Sequence, residues 1–328
     1  MMTIALFNPS IATENLGDYI IIDSVLAELG ELFPNDCIVS IPTQDVIGRF
    51  SGRVSGSAIH RFVGGTNLLS SHMLIRKQWK LRLSNLSYLK DITLMGVGWW
   101  QYQRNPDIYT AKILKSVLSN IKLHSVRDQY TKKKLESIGI RNVINTGCPT
   151  MWRLTPEHCK KIPAAKADSV VITLTDYKKH PESDQKLIHE LMSLYDRSYF
   201  WPQGSGDYEY IKSLNVTNLK VIPPTLDAFN QLLGYEVGLD YVGTRLHGGV
   251  RAIQKLRRAL ILAVDNRAVE ISRDTNLPVA ARDNYAAIQN WILNPAHLML
   301  NINFQGIREW KNQQFFKINQ YRGETAEL

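Results

Sequence analysis

The sequence lacks the features that mark several large classes of protein. Its three cysteines, Cys37, Cys148 and Cys159, cannot form a paired disulfide framework, so a reducing compartment is expected. No apolar run approaches the roughly 18–20 residues that a membrane-spanning helix needs. Residues 1–8 lack the basic start and the cleavage site of a secretory signal. These absences together predict a cytoplasmic protein.

Several catalytic signatures are missing as well. The sequence has no Gly-Lys pair, which excludes a P-loop, and no Gly-x-Ser-x-Gly stretch, which argues against a hydrolase nucleophile elbow. Residues 96–98 read Gly-Val-Gly but lack the third glycine of a dinucleotide-binding fingerprint, so they predict a turn after a strand. No Asp-x-Asp pair and no His/Cys cluster with zinc-ligand spacing occurs. We therefore expect neither a metal nor a bound cofactor.

Acidic residues are fewer than basic ones. Lys and Arg number 39 against 30 Asp and Glu, which gives a formal net charge of +9. Basic clusters stand at residues 76–82, 132–134 and 255–258. Such an excess attracts anions, namely nucleic acid, acidic lipid or phosphorylated small molecules, although solvated helix faces are the simpler interpretation of the clusters. No nucleic-acid reader module accompanies them, so nucleic acid is not an expected partner.

The composition is that of an ordinary globular protein, in which short apolar runs alternate with helical patterns. Apolar residues make up 44% of the chain and charged residues 21%. This alternation predicts an α/β fold whose largely parallel sheets are covered by helices. The predicted strands are residues 3–8, 37–41, 59–63, 92–97, 124–126, 169–174, 199–201, 219–222, 239–243 and 259–263.

A composition break at residues 156–168, which contains two prolines and a Lys-Lys pair, divides the chain. We expect two Rossmann-like domains, at residues 1–162 and 163–305, that face a central cleft where strand C-termini and helix N-termini converge. Residues 306–328 are polar and aromatic, and they predict a C-terminal helix and tail that pack back on the first domain.

The sharpest functional signal is Gly-Thr-Arg-Leu-His at residues 243–247, between a buried strand and a helix. Arg245 and His247 would join free backbone N–H groups and the helix dipole at one point, which suits a phosphate or a carboxylate. The alternative is that Arg245 forms a structural ion pair and His247 caps the helix. Spacing alone leaves both interpretations open.

Three further segments place polar groups at strand ends or helix starts. Residues 125–128 read Ser-Val-Arg-Asp, a strand that ends in Arg127 before Asp128, a predicted helix cap. Arg127 either pairs with a neighbouring acid or, together with Arg245, clamps an anion with two acidic ends. Asn-Leu-Gly-Asp at residues 15–18 precedes a helix predicted from Asp18, and Gly-Gly-Thr-Asn at residues 64–67 follows a strand. Each of the last two alone is more often a turn and a cap.

Taken in chain order, these four segments and the Gly-x-Gly of residues 96–98 resemble the motifs of the polysaccharide pyruvyl transferase family. The family's Asn-x-Gly-Asp, Gly-Gly-x-Asn, Gly-x-Gly and Ser-x-Arg-Asp are similar to residues 15–18, 64–67, 96–98 and 125–128. Its most telling stretch, Gly-x-Arg-Leu-His at the start of a helix, matches residues 243–247. The resemblance covers roughly residues 15–265, most of the chain.

The resemblance implies a two-domain fold similar to that of the B-type glycosyltransferases. It also implies transfer of the enolpyruvyl group of phosphoenolpyruvate, the donor substrate, to two hydroxyls of one sugar in a cell-surface polysaccharide or its precursor. The product would be a pyruvate ketal, with release of phosphate. The implied catalytic residues, which would hold the donor's phosphate and carboxylate, are Arg127, Arg245 and His247. The implied donor-binding residues are Asn15, Gly17, Asp18, Gly64, Gly65, Asn67, Leu246 and Arg267.

Two positions depart from the family pattern. Arg267 stands where members often have Lys; it keeps the charge but cannot shuttle a proton, because a guanidinium stays protonated. Gly248 and Gly249 stand where bulkier apolar residues are expected. An unperturbed histidine titrates near neutral pH, which suits His247 to the role of general acid. The acceptor is either a finished polymer or a lipid-linked unit, and the latter implies weak peripheral contact with the inner face of the membrane.

Two other functions stay open. A nucleotide-sugar-dependent glycosyltransferase of the same two-domain type would bind a diphosphate at residues 243–247. The sequence has no acid between Gly243 and Val264 that could bind a ribose there, which counts against this reaction. The third function is that of a non-catalytic module that senses a phosphorylated metabolite.

Overall fold

Strands and helices alternate along the chain. The computed structural model describes residues 1–76, 78–81, 86 and 88–314. The described strands are β1 (Thr3–Asn8), β2 (Cys37–Pro42), β3 (His60–Gly64), β4 (Thr93–Met95), β5 (His124–Val126), β6 (Val143–Asn145), β7 (Ser169–Thr173), β8 (Arg197–Phe200), β9 (Lys220–Val221), β10 (Leu239–Gly243), β11 (Ala259–Ala263) and β12 (Val279–Ala281). The expected α/β class is confirmed.

Helices follow most of these strands, as crossover connections between parallel strands require. The described helices are α1 (Leu16–Leu32), α2 (Arg49–Ser57), α3 (Ile108–Val117), α4 (Gln129–Ser137), α5 (Pro156–Lys160), α6 (Pro181–Leu194), α7 (Asp207–Ser213), α8 (Leu226–Tyr235), α9 (Leu246–Gln254), α10 (Asn266–Thr275), α11 (Tyr285–Leu293) and α12 (Phe304–Asn312). Within the described residues, no helix is both long enough and apolar enough to cross a membrane.

The chain forms two compact units. The first consists of residues 1–13 and 21–152 with the described residues from 303 onward, and the second of residues 14–20 and 153–302. The beginning of α1 therefore belongs to the second unit. The domain boundary expected at residue 162 falls inside the second unit. Of the tail expected at 306–328, residues 315–328 lie outside the described residues.

In the first unit, the sheet runs β2-β1-β3-β4 with every pair parallel. Strands β5 and β6 form a further parallel pair, and a bridge between Val97 and Val126 links β5 to the segment after β4. The strand order reverses between β1 and β3. In open α/β sheets, ligands bind outside the carboxyl ends of the strands at such a switch point, and residues 64–67 follow β3 there.

Helix α12 helps to close the core of the first unit. The side chain of Trp310 is fully buried, and its Nε1 donates a hydrogen bond to the carbonyl of Leu94 at 3.1 Å. Its ring centroid lies 5.7 Å from that of Phe62 and 5.4 Å from that of Trp152, in tilted and edge-on arrangements that aromatic rings prefer. Helix α12 therefore packs through Trp310 together with the buried Gly306 and Ile307.

In the second unit, six parallel strands run in the order β12-β11-β10-β7-β8-β9. Strands β7 and β10 are buried along their whole length, as central strands covered on both faces must be. When strands β7 to β12 are numbered 1 to 6 along the chain, their order across the sheet, starting from β9, is 3-2-1-4-5-6. The order reverses between β7 and β10. The carboxyl ends of these two strands are therefore the place where the fold predicts a ligand.

The start of α1 differs from the one predicted from the sequence, whereas the start of α4 agrees with it. Helix α1 begins at Leu16 rather than at Asp18, because the side chain of Asn15 accepts a hydrogen bond from the N–H of Gly17 at 3.1 Å and caps the helix first. Asp18 lies in the first turn, where a carboxylate still favours the helix dipole. The predicted cap of α4 is confirmed, since Asp128 Oδ1 accepts the N–H of Thr131 at 2.8 Å.

Candidate functional site

The Gly-Thr-Arg-Leu-His segment lies at the carboxyl end of β10, at the switch point of the second unit. Gly243 approaches β7 so closely that a Cβ there would stand 2.2 Å from Thr173 Oγ1. The N–H of Thr244 donates to the carbonyl of Thr173 at 2.9 Å. Helix α9 then begins, so Arg245 is the residue immediately before the helix. Glycine at position 243 allows the chain to leave the sheet at this point.

The buried guanidinium of Arg245 contacts two carboxylates. Its Nε donates to Asp207 Oδ2 at 2.9 Å, and its Nη2 donates to the other oxygen of the same carboxylate. Nη2 also lies 3.1 Å from Asp176 Oδ1. Among the described residues, Nη1 has no hydrogen-bond partner. Arg245 therefore forms the ion pair that the sequence left open, and it keeps one donor nitrogen uncommitted.

Asp207 holds three loops together. Its fully buried carboxylate accepts the backbone N–H groups of Asp176 at 3.1 Å, Gln203 at 3.1 Å and Gly204 at 2.8 Å, in addition to Arg245. Burial raises the pKa of Asp207, while Arg245 and the amides of Gly204 and Asp176 partly offset this rise. One carboxylate thus fixes the loops after β7 and β8 against the arginine after β10.

Two glycines allow this close packing. A Cβ at Gly204 would lie 2.3 Å from Arg245 Nη2, and a Cβ at Gly206 would lie 2.2 Å from Asp176 Oδ2. Both distances are far below van der Waals contact, so any other residue would displace the neighbouring side chain. Residues 204–207, Gly-Ser-Gly-Asp, therefore belong to the site.

Arg267 lies after the next strand, β11. Asp265 caps α10 by accepting the N–H of Arg267 at 3.0 Å, and both of its oxygens lie 3.0 Å from Arg267 Nε. Nη2 donates to the hydroxyl of Tyr177. Burial opposes the charge of Arg267, but Tyr177, Asp265 and Asp18 outweigh it and raise the guanidinium pKa. Arg267 is a permanent cation that cannot relay a proton.

Residues 15–18 reach the same unit through Gln203. The first residue of α1 donates its N–H to the carbonyl of Gln203 at 2.9 Å, and Gln203 Nε2 donates to Asn15 Oδ1 at 3.0 Å. A Cβ at Gly17 would lie 2.8 Å from that Nε2, so glycine permits the contact. The negative charge of Asp18 helps to raise the pKa of Arg267. The structure therefore assembles this motif with the two arginines.

Leu246 and His247 form the first turn of α9 and are buried. The glycines that follow allow the helix to pack directly on the sheet. A Cβ at Gly249 would lie 2.7 Å from Ile261 Cγ1, and a Cβ at Gly248 would be only 3.0 Å from the nearest side-chain oxygen. Close packing of α9 on β10 and β11 thus explains why this chain has small residues where bulkier ones were expected.

In the first unit, Arg127 follows β5 and is only 1% exposed. Its Nε donates to Asp128 Oδ2 at 3.0 Å, and its Nη2 lies 3.0 Å from the same oxygen. Within the described residues, Nη1 and Nη2 are buried and make no well-aligned hydrogen bond. A Cβ at Gly98 would lie 2.3 Å from the guanidinium carbon. Arg127 thus pairs with its neighbour and keeps two donors unsatisfied, which a buried charge rarely does.

Residues 64–67 pack against α1. Gly65 has a φ of +57°, and a Cβ there would lie 2.1 Å from Ile21 Cγ2; a Cβ at Gly64 would lie 3.0 Å from Val25. The two glycines therefore have a packing reason besides any approach to a ligand. Asn67 Oδ1 is buried and has no hydrogen-bond partner among the described residues.

Each unit thus holds its own group of the residues that the sequence singled out. Sequence analysis missed Asp176, Tyr177, Gln203 and Asp207, which surround Arg245 and Arg267. The one available signal was the Gly-x-Gly-Asp of residues 204–207, between a predicted strand and a predicted helix. Across the described ranges, no three His, Cys, Asp or Glu side chains are grouped so that they could hold a metal ion.

The fold and the site define a class of protein. Two Rossmann-like units with polar side chains at the carboxyl ends of their strands are the architecture of B-type glycosyltransferases and related nucleotide-sugar enzymes. The UDP-GlcNAc 2-epimerase of Methanocaldococcus jannaschii, solved with UDP-GlcNAc and UDP, has a TM-score of 0.54 and 11% identity over 97% of this chain and 99% of that chain. S. aureus MnaA, in a co-structure with UDP, has a TM-score of 0.52 and 10% identity over 98% and 97%. At these identities the likeness shows the fold alone.

The family is shown by sequence. The model of the family described as polysaccharide pyruvyl transferase matches residues 15–266. The comparison with curated proteins finds no match. Because the family match spans most of the chain, this chain belongs to the polysaccharide pyruvyl transferase family, and the resemblance seen in its motifs is confirmed. The protein is an enzyme, a pyruvyltransferase that takes part in polysaccharide biosynthesis.

Proposed function

We propose that the donor is phosphoenolpyruvate and that the enzyme joins its C2 carbon to two hydroxyls of one sugar, forming a pyruvate ketal and releasing phosphate. The observation that carries this proposal lies in the second unit, where Arg245, His247 and Arg267 follow the adjacent strands β10 and β11. Phosphoenolpyruvate carries a carboxylate and a phosphate, and arginine can bind either group through two parallel hydrogen bonds. The family motif also implies Arg127, in the first unit, as a donor-binding residue.

The reaction needs one proton donor and one leaving group. A proton added to the methylene carbon of the donor makes C2 an oxocarbenium-like centre, which the first sugar hydroxyl attacks as it loses its own proton. The C2–O bond to phosphate then breaks, and phosphate leaves with the electron pair. The second hydroxyl attacks C2 to close the ketal and loses its proton, which the departing phosphate takes up. His247 is the candidate proton donor, because histidine titrates near neutral pH, whereas the arginines stay protonated and stabilise the negative charge.

The remaining residues would hold the donor. Arg245 offers Nη1 to an anion, since Asp207 occupies the Nε side of its guanidinium. Arg267 is fixed by Asp265 and supplies positive charge without proton transfer. The reaction requires no redox step, and we propose that it proceeds with no metal and no cofactor. The other proposed donor-binding residues are Asn15, Gly17, Asp18, Gly64, Gly65, Asn67 and Leu246.

A nucleotide-sugar-dependent glycosyltransferase is the second candidate. Two solved structures of the same fold carry UDP, which favours a nucleotide-sugar donor. The stretch between Gly243 and Val264 has no acid, and Asp265, which follows it at about the distance where a ribose-binding carboxylate would stand, is engaged by Arg267. That engagement counts against this candidate.

The test compares the two donors directly. We expect phosphoenolpyruvate, but not UDP-sugars, to raise the melting temperature of the protein. Once a sugar acceptor is added, phosphate should be released from phosphoenolpyruvate. Arg245→Ala is the negative control in both assays. Mass spectrometry of the organism's surface glycan, with and without this protein, should then show pyruvate ketals only when the protein is present. Stabilisation by UDP-sugars alone would support the glycosyltransferase instead.

We further propose that the acceptor is lipid-linked and that the enzyme works at the inner face of the membrane. Leu74 and Ile75 are exposed on a turn that hydrogen bonds tie to the segment bearing the exposed Ile108. The basic residues of the stretch 76–82 follow this turn in the sequence. Exposed apolar side chains that basic residues follow in the sequence suit weak, reversible contact with anionic lipid, at about 1 kcal/mol for each basic residue that reaches the surface.

Sedimentation with anionic vesicles tests the membrane contact. Binding at low salt that is lost at high salt is the expected result, because the contact is mainly electrostatic. Binding that persists undiminished at high salt would contradict an electrostatic contact, and no binding at low salt would indicate a soluble polymer as acceptor.

A further inference from the structure

The two carboxylates that contact Arg245 differ in kind. Asp207 is 0% exposed and takes both Nε and Nη2 of the arginine together with three backbone N–H groups. The side chain of Asp176 is 34% exposed. Among the described residues, its carboxylate contacts Arg245 alone, through Nη2 at 3.1 Å. One partner is built into the fold, and the other touches the arginine at a single point near solvent.

These differences set how easily each partner can leave. Removing Asp207 from the guanidinium would strand a buried charge and several backbone donors, which is costly in a buried site. A single-point pair with a partly exposed carboxylate contributes little, because solvent already competes for it. An incoming anion can therefore replace Asp176 but not Asp207.

The Nη1–Nη2 edge of the Arg245 guanidinium is placed to bind an anion that displaces Asp176. The Nε–Nη2 edge faces Asp207, whereas the Nη1–Nη2 edge has Asp176 on one nitrogen and, among the described residues, nothing on the other. A carboxylate or phosphate that binds both nitrogens of this edge in parallel forms a stronger contact than Asp176 does.

We propose that Asp176 is an exchangeable counterion of Arg245, which an anionic group of the donor displaces, and that Asp207 is the positioning residue that keeps the guanidinium in place. The proposal rests on phosphoenolpyruvate being the donor. It makes Asp176 a determinant of donor affinity, because every binding event must first break its contact with Arg245.

The glycines of residues 204–207 provide a second way to separate the two roles. A Cβ at position 206 would collide with the Asp176 carboxylate, and a Cβ at position 204 would collide with the Arg245 guanidinium. Gly206 has a φ of −86°, which alanine adopts without strain. Gly206→Ala should therefore push Asp176 away from the arginine, whereas Gly204→Ala should push the arginine away from its place.

The experiment measures the Kd of phosphoenolpyruvate by titration calorimetry, with kcat and KM alongside. Asp176→Asn should lower the Kd and KM about threefold with kcat little changed, since only a weak competing ion pair is lost. Asp207→Asn should raise the Kd about tenfold or more and also lower kcat, because the arginine loses its anchor. Gly206→Ala should follow the first variant and Gly204→Ala the second, which keeps the test open if Asp207→Asn fails to fold.

Asp240→Asn is the matched control. Asp240 is as buried as Asp207 and lies 3.6 Å from Arg258 Nη1, but it stands near the amino end of β10. The Asp240→Asn variant should have a lower melting temperature and bind phosphoenolpyruvate with the wild-type Kd. If wild-type protein does not bind phosphoenolpyruvate, the proposed function fails and this inference falls with it. If wild type binds while Asp176→Asn binds equally or more weakly, the exchange alone is overturned.

Discussion

Arg127 in the first unit and Arg245 in the second occupy equivalent places but are held in different ways. Each follows a parallel strand, precedes a helix and pairs with a carboxylate through Nε. Arg127 takes its partner from the next residue, Asp128. Arg245 takes its partner from Asp207, 38 positions away in the sequence.

The difference lies in what else each carboxylate does. Asp128 also caps α4 by accepting the N–H of Thr131, so only its second oxygen serves Arg127. Both oxygens of Asp207 serve Arg245, and backbone amides of two other loops hold that carboxylate in turn. Among the described residues, the local pair leaves both Nη atoms of Arg127 without a well-aligned hydrogen bond, whereas the tertiary pair fixes the orientation of Arg245 and leaves only Nη1 open. Fixed orientation is what stabilisation of a transition state needs.

The largest expected effect is at Arg245. Arg245→Ala should lower kcat/KM for phosphoenolpyruvate about a hundredfold or more, because a positioned charge is lost from the transition state. It should also destabilise the protein by about 3–5 kcal/mol, since Asp207 is left buried without its partner. Arg245→Ala combined with Asp207→Asn should recover most of the stability and none of the activity. Steady-state kinetics and chemical denaturation measure both. A tenth of wild-type activity in either variant would overturn the role of Arg245.

The second-largest effect is expected in the first unit, as a loss of stability when the protein is titrated with acid. His124, on the strand before Arg127, is buried, and desolvation lowers its pKa from 6.5 to about 4. Its Nε2 faces the carbonyl of Ser119 at 2.9 Å, and its Nδ1 accepts the N–H of Leu94 at 3.2 Å, an arrangement that protonation of Nδ1 breaks. The unfolded chain therefore binds a proton that the folded chain rejects, and stability falls as the pH drops from 6.5 towards 4.

The expected loss is about 3 kcal/mol between pH 7 and pH 4. Denaturation curves recorded across this range measure it. His124→Asn, which keeps an acceptor towards Leu94 but cannot be protonated, should show a flatter dependence on pH. Equal slopes for wild type and variant would mean that His124 titrates normally.

A smaller change is expected when Arg127 becomes Lys. The point charge of an ammonium replaces a planar fork, so KM for phosphoenolpyruvate should rise about tenfold while kcat changes less. Gly98→Ala should act in the same direction, because its Cβ would overlap the guanidinium without removing it. An unchanged KM in Arg127→Lys would show that the pair with Asp128 is structural and that the two arginines differ in function as well as in setting.

The smallest effect is expected from chelation. Since the described residues offer no metal-binding group at either arginine, activity should survive exhaustive treatment with EDTA within about twofold. Strict recovery on adding Mg²⁺ or Mn²⁺ would instead favour the nucleotide-sugar reaction.

The sequence by itself determined the features that depend on neighbours along the chain. Apolar runs and turn residues predicted most strands, because parallel strands covered on both faces read as short continuous apolar runs. Asp128 was identifiable as a cap and as a partner of Arg127, since adjacency fixes both contacts. The family motifs likewise are short segments. The start of α1 was misplaced because Asn15 and Asp18 both suit a cap, and only the backbone conformation selects between them.

The tertiary structure alone decided which groups surround Arg245. Asp207 and Asp176 lie 38 and 69 positions from it, and Gln203 lies 188 positions from Asn15. These contacts exist because the sheet order places β10 beside β7 and β7 beside β8, so that loops far apart in sequence meet at one edge. Strand order is set by the packing of the whole unit and not by any local pattern. The Gly-x-Gly-Asp of residues 204–207 is visible in the sequence, but which arginine it serves could be recognised only in the folded chain.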